Sequence, residues 1–259
     1  MSQELKWYGW GLVNKNFDLS RRHNFWPFLR EKLQLTSNET SLPVNLSDIK
    51  LSSSDSTLSA KFEALLGANA VRRDDLIRIT HAMGKSYLDL IRIRKGLIQN
   101  PPDFVLYPKT EAQVLEVLQL ASDLKIAVIP FGGGTSVVGG VEALKDSGHI
   151  AAISLDLSQL NQVVSIDEIS LLATIEAGML GPALENALQA RGYTLGHYPQ
   201  SFEFSSLGGW IAARSAGQQS NKYGRVEDMV SSLTIASPIE IITTLDAPAS
   251  AAGPSIKQL

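Results

Sequence analysis

The stretch Ile126-Ala127-Val128-Ile129-Pro130-Phe131-Gly132-Gly133-Gly134-Thr135-Ser136-Val137-Val138-Gly139-Gly140 runs from an apolar β segment straight into a glycine-rich turn. Consecutive glycines let backbone N–H groups turn toward one point and approach an anion without obstruction by Cβ, and the Thr135 and Ser136 hydroxyls add donors. The turn therefore reads as a cradle for a pyrophosphate. No Gly-Lys-Ser/Thr closes it and no G-x-G-x-x-G runs on into a helix, so neither common nucleotide signature applies. Taken alone, the turn is equally compatible with a loop whose glycines merely serve left-handed backbone conformations.

Outward from this turn the pattern alternates short apolar runs with amphipathic ones. Asp103–Tyr107 reads as a strand, Thr110–Leu124 as a helix capped by Thr110, and Ile126–Phe131 as a second strand, together a βαβ unit with nearly all-apolar strands. Ile150–Leu155 reads as a third strand. Val163–Ile166 and Leu171–Glu176 bracket Asp167 and Glu168 as a hairpin, and Gly181–Arg191 reads as a helix with Pro182 in its first turn and Gly192 past its end. Gly196–Gly217 holds small hydroxyl residues, the Gly208-Gly209 pair, Trp210 and Arg214. It reads as a turn followed by a helix whose start, preceded by Ser205 and Ser206, can donate to phosphate or to the edge of a flat ring; a tightly packed helix joint is the alternative. Glu240–Leu245 is strand-like.

Toward the N-terminus, Asn24–Leu35 has amphipathic helical spacing and Thr36–Ser59, rich in Ser, Thr and Asn, reads as a loop. Asp74–Leu97 reads as one helix broken near Gly84 or as two short ones. The basic cluster Arg72, Arg73, Arg78, Lys85, Arg92, Arg94 and Lys95, in and just before it, lacks interleaved aromatics, so a solvated helix face is preferred over nucleic-acid binding. Five glycines fall in residues 1–100 and fifteen in the remainder, where turns and close ligand approaches need them.

The 259 residues suffice for one large domain with a real core, at 44% hydrophobic and 19% charged residues. A net charge of −3 provides no general attraction to nucleic acid or anionic lipid. Absence of cysteine excludes disulfides and thiolate chemistry, and His23, His81, His149 and His197 have no metal-ligand spacing, so no metal is implied. No segment has the form of a secretory signal or a membrane span, and a cytoplasmic protein is the expectation.

Residues 103–237 resemble the FAD-binding domain of the vanillyl-alcohol-oxidase/para-cresol-methylhydroxylase superfamily. Within it, the closest resemblance is to the alkyldihydroxyacetonephosphate synthase (alkylglycerone-phosphate synthase) family. The words that carry it are PDFVLYP, IPFGGGTSVVGG, ISLDLSQLNQVV, IEAGMLGPALENALQARGYTLGH, SFEFSSLGGWIAARSAG and NKYGRVEDMV, joined by the N-terminal LKWYGWG and DDLIRITHAMGKSYLDLIRIRKG. The resemblance implies an α+β fold: a mainly helical region over residues 1–100, then a FAD-binding domain of two α/β subdomains over 101–259, with FAD in the cleft.

It also implies the contacts. Pro130, Phe131, Gly132, Gly133, Gly134, Thr135 and Ser136 embrace the pyrophosphate. Gln200, Ser201, Phe202, Glu203, Phe204, Ser205 and Ser206 line the flavin and its ribityl chain, and Ala213, Arg214, Ser215 and Ala216 form a third contact group. Gln200 and Ala213 depart from the acidic and hydroxyl residues common there. Covalent relatives attach flavin to a histidine within the glycine loop, and this loop has none, so non-covalent FAD is expected. His197 reads as a packing histidine in preference to a base.

The implied reaction is exchange of the acyl group of an acyl-dihydroxyacetonephosphate for a long-chain alcohol in ether-lipid synthesis. Two alternatives are an FAD-dependent 2-hydroxyacid dehydrogenase or oxidase and a catalytically inactive flavin-binding fragment. The partners are then a small-molecule or lipid substrate, with no nucleic acid, and with peripheral membrane contact and a homodimer left open for the full-length protein. The residues Asp246–Leu259 lead up to, but do not include, the family's last flavin-contacting turn, its cap domain and its C-terminal Tyr and His residues. A C-terminally truncated chain, inactive by itself and with its catalytic residues beyond Leu259, is the expectation.

Overall fold

The computed structural model describes residues 4–36 and 42–246; the sequence preceding the expected last flavin turn therefore lies almost wholly outside the described residues. In chain order the elements are α1 (Phe25–Leu33), α2 (Ser56–Leu66), β1 (Val71–Arg72), α3 (Asp75–Thr80), α4 (Tyr87–Arg94), β2 (Val105–Leu106), α5 (Glu111–Asp123), β3 (Ile126–Phe131), β4 (Ala151–Asp156), β5 (Val163–Asp167), β6 (Leu172–Ile175), α6 (Gly181–Gln189), α7 (Leu207–Ala212), α8 (Ser220–Tyr223), α9 (Val226–Met229), β7 (Thr234–Ala236) and β8 (Ile241–Thr243).

The first subdomain is a four-stranded sheet in the order β1-β2-β4-β3, with β4 parallel to both β2 and β3 and β1 antiparallel to β2. The expected β2-α5-β3 crossover forms, but β4 inserts between its strands. This central place explains why all six residues of β4 are buried. Thr110 caps α5 by accepting from the Gln113 N–H at 3.2 Å. Val114, Val117 and Ala121 turn inward to meet Phe104, Leu106, Ile153 and Leu155.

Part of the N-terminal region is built into this same body. Phe62 of α2 is fully buried and packs at a tilt against Phe104, with ring centroids 5.4 Å apart. The expected loop over 36–59 is interrupted by this helix, whose start is fixed by the Asp55 carboxylate accepting from Thr57 N–H (2.7 Å) and Leu58 N–H (3.2 Å). The cap was hidden among the serines around it. The Asp74–Leu97 segment forms two helices, separated at Gly84, with Ile79, Met83 and Ile93 sharing a small core with Ile49. Helix α1 forms with no buried residue, leaving Trp26, Phe28 and Leu33 exposed.

The second subdomain joins the β5-β6 hairpin to α6, α7 and α9 around Met179, Leu184, Leu188, Trp210 and Val226. Strands β7 and β8 pair as a hairpin. Among the described residues no helix is long and apolar enough to cross a membrane, and no cluster of three or more His, Asp or Glu side chains could hold a metal ion.

Candidate functional site: a glycine loop docked on a serine turn

The loop after β3 and the turn before α7 come from different subdomains and meet face to face. A Cβ at Gly133 would lie on the Phe204 carbonyl oxygen and 3.0 Å from Ser205 Cα; one at Gly132 would strike the Ser206 hydroxyl. Gly134 has φ +64°, and a Cβ there would enter the Phe131 ring. The glycines are thus demanded first by protein packing: their Cα faces are spent on the serine turn. From sequence alone, such closeness is expected to serve the ligand. Among the described residues, the amides of Gly133, Gly134 and Thr135 have no acceptor within the protein, and orphan donors in a folded loop call for an acceptor from outside.

The loop is braced from beneath. Phe131 stacks on His81 with ring centroids 4.1 Å apart, and His81 Nε2 lies 2.9 Å from the Asp156 carboxylate at the end of β4. Ser136 is the loop's far anchor. Its hydroxyl oxygen accepts from Gly140 N–H at 3.1 Å, and its carbonyl accepts from Lys85 N–H at 2.7 Å. Gly84 is wedged against that same carbonyl with no room for a Cβ.

The second expected group is held as a compact turn. The Ser201 carbonyl accepts from the Phe204 and Ser205 N–H groups at 2.9 and 3.0 Å and from the Ser205 hydroxyl at 2.9 Å. Ser205 in turn accepts from Trp210 Nε1 at 2.6 Å, so its hydroxyl is fully engaged inside the protein. Ser206 caps α7, Phe202 packs against Trp210 and Tyr198, and the Phe204 ring lies 5.7 Å from that of Trp10. Gln200 and Glu203 are exposed beside an open hollow of about 320 Å³ that Tyr198, Phe202, Phe204 and Gln218 also line.

The third group lies at the opposite end of α7 from Ser206. Ala213 and Ala216 are exposed, and Arg214, at φ +50°, points outward 3.6 Å from Glu227. Ser215 holds His197: its hydroxyl is 2.6 Å from Nε2, while Nδ1 is buried without a partner. Burial pushes the His197 pKa below 6.5 and keeps the ring neutral. Its tilted ring contact with Trp210 at 5.0 Å is that of a packing residue.

Several residues at the site were not read from sequence. Glu185, buried on α6, accepts from the Leu195 and Gly196 amides at 3.0 and 3.1 Å and from the Thr194 hydroxyl at 2.8 Å. It ties down the turn entering His197. Trp10 and Lys85 reach the loop from the N-terminal region, a distance in sequence that no local pattern bridges. The basic cluster, by contrast, disperses. Arg78 is buried and donates to the Pro102 and Ser52 carbonyls (both 2.8 Å), and Arg92 pairs with Glu142 at 2.7 Å, which leaves no continuous basic face.

Residues 102–245 match the family model described as an FAD binding domain. An alkyldihydroxyacetonephosphate synthase of Trypanosoma brucei brucei is 39% identical over 70% of this chain and 29% of its own length, and that of Caenorhabditis elegans is 32% identical over 98% and 46%. A solved alkyldihydroxyacetonephosphate synthase superposes with a TM-score of 0.86 at 30% identity, over 98% of this chain and 50% of that one. A p-cresol methylhydroxylase superposes at 0.61 with 17% identity, which supports the shared fold alone. The chain spans half or less of the length of these relatives. The family model covers more than half of the chain, a solved relative at 30% identity superposes over nearly all of it, and the chain belongs to the family of FAD-binding domains with the para-cresol-methylhydroxylase-type fold.

Proposed function

We propose that this chain forms the FAD-holding part of an enzyme of the alkyldihydroxyacetonephosphate synthase kind, which exchanges the acyl group of an acyl-dihydroxyacetonephosphate for a long-chain alcohol. The observation that carries the reading is the docked pair of loops: Gly132 and Gly133 pressed on Phe204–Ser206, with unpaired amides at Gly133–Thr135. In this reading the loop from Pro130 to Ser136 receives the pyrophosphate, and the turn from Gln200 to Ser206 lies along the flavin. The group Ala213–Ala216 then acts mainly through Ser215, which orients His197, and Arg214 makes an outer contact. The bound flavin supplies the electrophilic, electron-accepting centre of the reaction; this chain's residues bind it and orient it.

FAD is held without a covalent bond. The loop has no histidine, and the two histidines nearest the site are engaged, His81 with Asp156 and His197 with Ser215. We place a division near residue 100 as one of family ancestry, since α2 and β1 pack with the sheet that follows it. The substrate is a small lipid-derived phosphate ester, and the location we propose is cytoplasmic.

The test is direct. Purified protein given FAD should turn yellow and yield intact FAD to the supernatant on acid precipitation. Flavin retained in the precipitate overturns the non-covalent assignment, and failure to bind any flavin overturns the whole reading.

A further inference from the structure

We propose that Lys85 is the cation that holds the FAD pyrophosphate on the glycine loop, a role that rests on the FAD reading above. The loop by itself offers a pyrophosphate only neutral donors: backbone amides and the hydroxyls of Thr135 and Ser136. An anion drawn out of water into a partly buried site is held better by a charge-assisted contact. Two lysines share a small hollow with Gly133, Thr135, Trp10 and Phe204. Lys6 is already committed, its ammonium donating to the Lys15 carbonyl at 3.0 Å and to Asn16 Oδ1 at 3.1 Å.

Lys85 is different in each respect. Its position is locked to the loop: its N–H donates to the Ser136 carbonyl at 2.7 Å, and Gly84 beside it is pressed on the same carbonyl. Its side chain is half-buried, and among the described residues its ammonium has neither a hydrogen-bond acceptor nor an ion-pair partner. The nearest carboxylate that acts on it, Asp89, is occupied by the Ser86 N–H at 3.2 Å and by Arg92 at 3.5 Å. Burial lowers the Lys85 pKa, the cost of a desolvated cation without an anion. A bound pyrophosphate supplies that anion.

The experiment is an FAD titration followed by flavin fluorescence, with riboflavin, which lacks both phosphates, as the second probe. Wild type, Lys85→Met and Lys85→Arg are compared at low and high NaCl, and melting of each apoprotein reports folding. Lys85→Met should bind FAD roughly 10- to 100-fold more weakly, lose less of its affinity as salt rises, and bind riboflavin as wild type does. Lys85→Arg should stay within a few-fold of wild type. Equal FAD affinity and equal salt dependence in Lys85→Met overturn the proposal, as does a parallel loss of riboflavin binding, which would mean a structural role. If the methionine variant fails to fold, Lys85→Gln, neutral and polar, takes its place: weaker FAD binding with a shallower salt dependence and unchanged riboflavin binding supports the proposal, and wild-type FAD affinity and salt dependence overturn it. Absence of FAD binding by the wild type itself overturns the FAD reading, before any variant is compared.

Discussion

The two bodies that meet at the site are built on different principles. The sheet subdomain places its loop by apolar packing: β4 is buried along its whole length, and Phe104, Leu106, Val117 and Ile153 are fully enclosed. Among the described residues the hydrophobic core of the hairpin subdomain has five buried side chains, and β5 and β6 are largely exposed. Its serine turn is placed instead by polar contacts, the buried Glu185 on the Leu195 and Gly196 amides, the buried Ser205 under Trp210, and the half-buried Ser215 against the buried His197. Apolar packing tolerates imperfect substitution in small steps, whereas a buried polar contact, once broken, leaves a donor or acceptor with nothing. The turn should therefore be the brittle half of the site and the loop the rigid half.

The largest effect is expected where the halves touch. Gly133→Val drives a branched side chain into the Phe204 carbonyl, so the loop and the turn cannot remain docked. FAD affinity should fall at least roughly 100-fold, a loss of about 3 kcal/mol or more, and apoprotein melting should fall with it. Loss of FAD affinity with unchanged melting would show that the glycine faces the ligand and that the docked geometry is wrong.

Next comes Glu185→Leu, which is close in volume but leaves two buried amides and the Thr194 hydroxyl without their acceptor. A destabilisation of about 2–4 kcal/mol in urea unfolding is expected, larger than for an Ile→Val exchange at the fully buried Ile153, at about 0.5–1.5 kcal/mol. The reverse order would sink the contrast between the two subdomains. Trp210→Phe is milder. It keeps the ring contacts with Phe202 but removes the Nε1–H bond to Ser205, for about 1–2 kcal/mol and a few-fold loss of FAD affinity, read from the same unfolding and titration curves.

The same contrast governs what the sequence reveals. Period and turn chemistry give β3, β4, α5, the β5-β6 hairpin and the two-part Asp74–Leu97 segment, because apolar burial in regular elements leaves a local pattern. The resemblance singles out the glycine loop and the serine turn, two segments that the fold brings into contact, but not the packing that their glycines serve. Glu185 gives no signal: a carboxylate in an amphipathic helix reads as surface, and only the returning turn at Leu195 and Gly196 makes it a buried acceptor. In the sequence Lys85 reads as one more helix-face cation because the loop that it touches lies some fifty residues further on. The Asp55 cap was visible in principle, as an Asp before an apolar period, yet the surrounding serines gave the stretch the composition of a linker.

The smallest effect expected is in the pH dependence of stability, and it isolates one contact of the brittle half. His197 is buried with Nδ1 unpartnered, and burial lowers its pKa beneath the 6.5 of a free imidazole. In the unfolded chain the ring takes up a proton as pH falls through 6.5, while in the folded protein it stays neutral until a lower pH. Between the two values the unfolded state holds more protons, so stability must rise with pH across that window. The contribution is fully present above 6.5 and is lost as pH falls toward the folded value. His197→Gln keeps a polar group near the Ser215 hydroxyl but cannot titrate. Its stability curve, subtracted from that of the wild type, should be flat above 6.5 and slope below it; the subtraction also removes whatever the two proteins share. A difference curve with no slope below 6.5 would mean that the ring is solvated when folded. A slope of opposite sign would mean that the ring carries its proton in the folded state, and the orphaned Nδ1 would then need an acceptor that this packing does not provide.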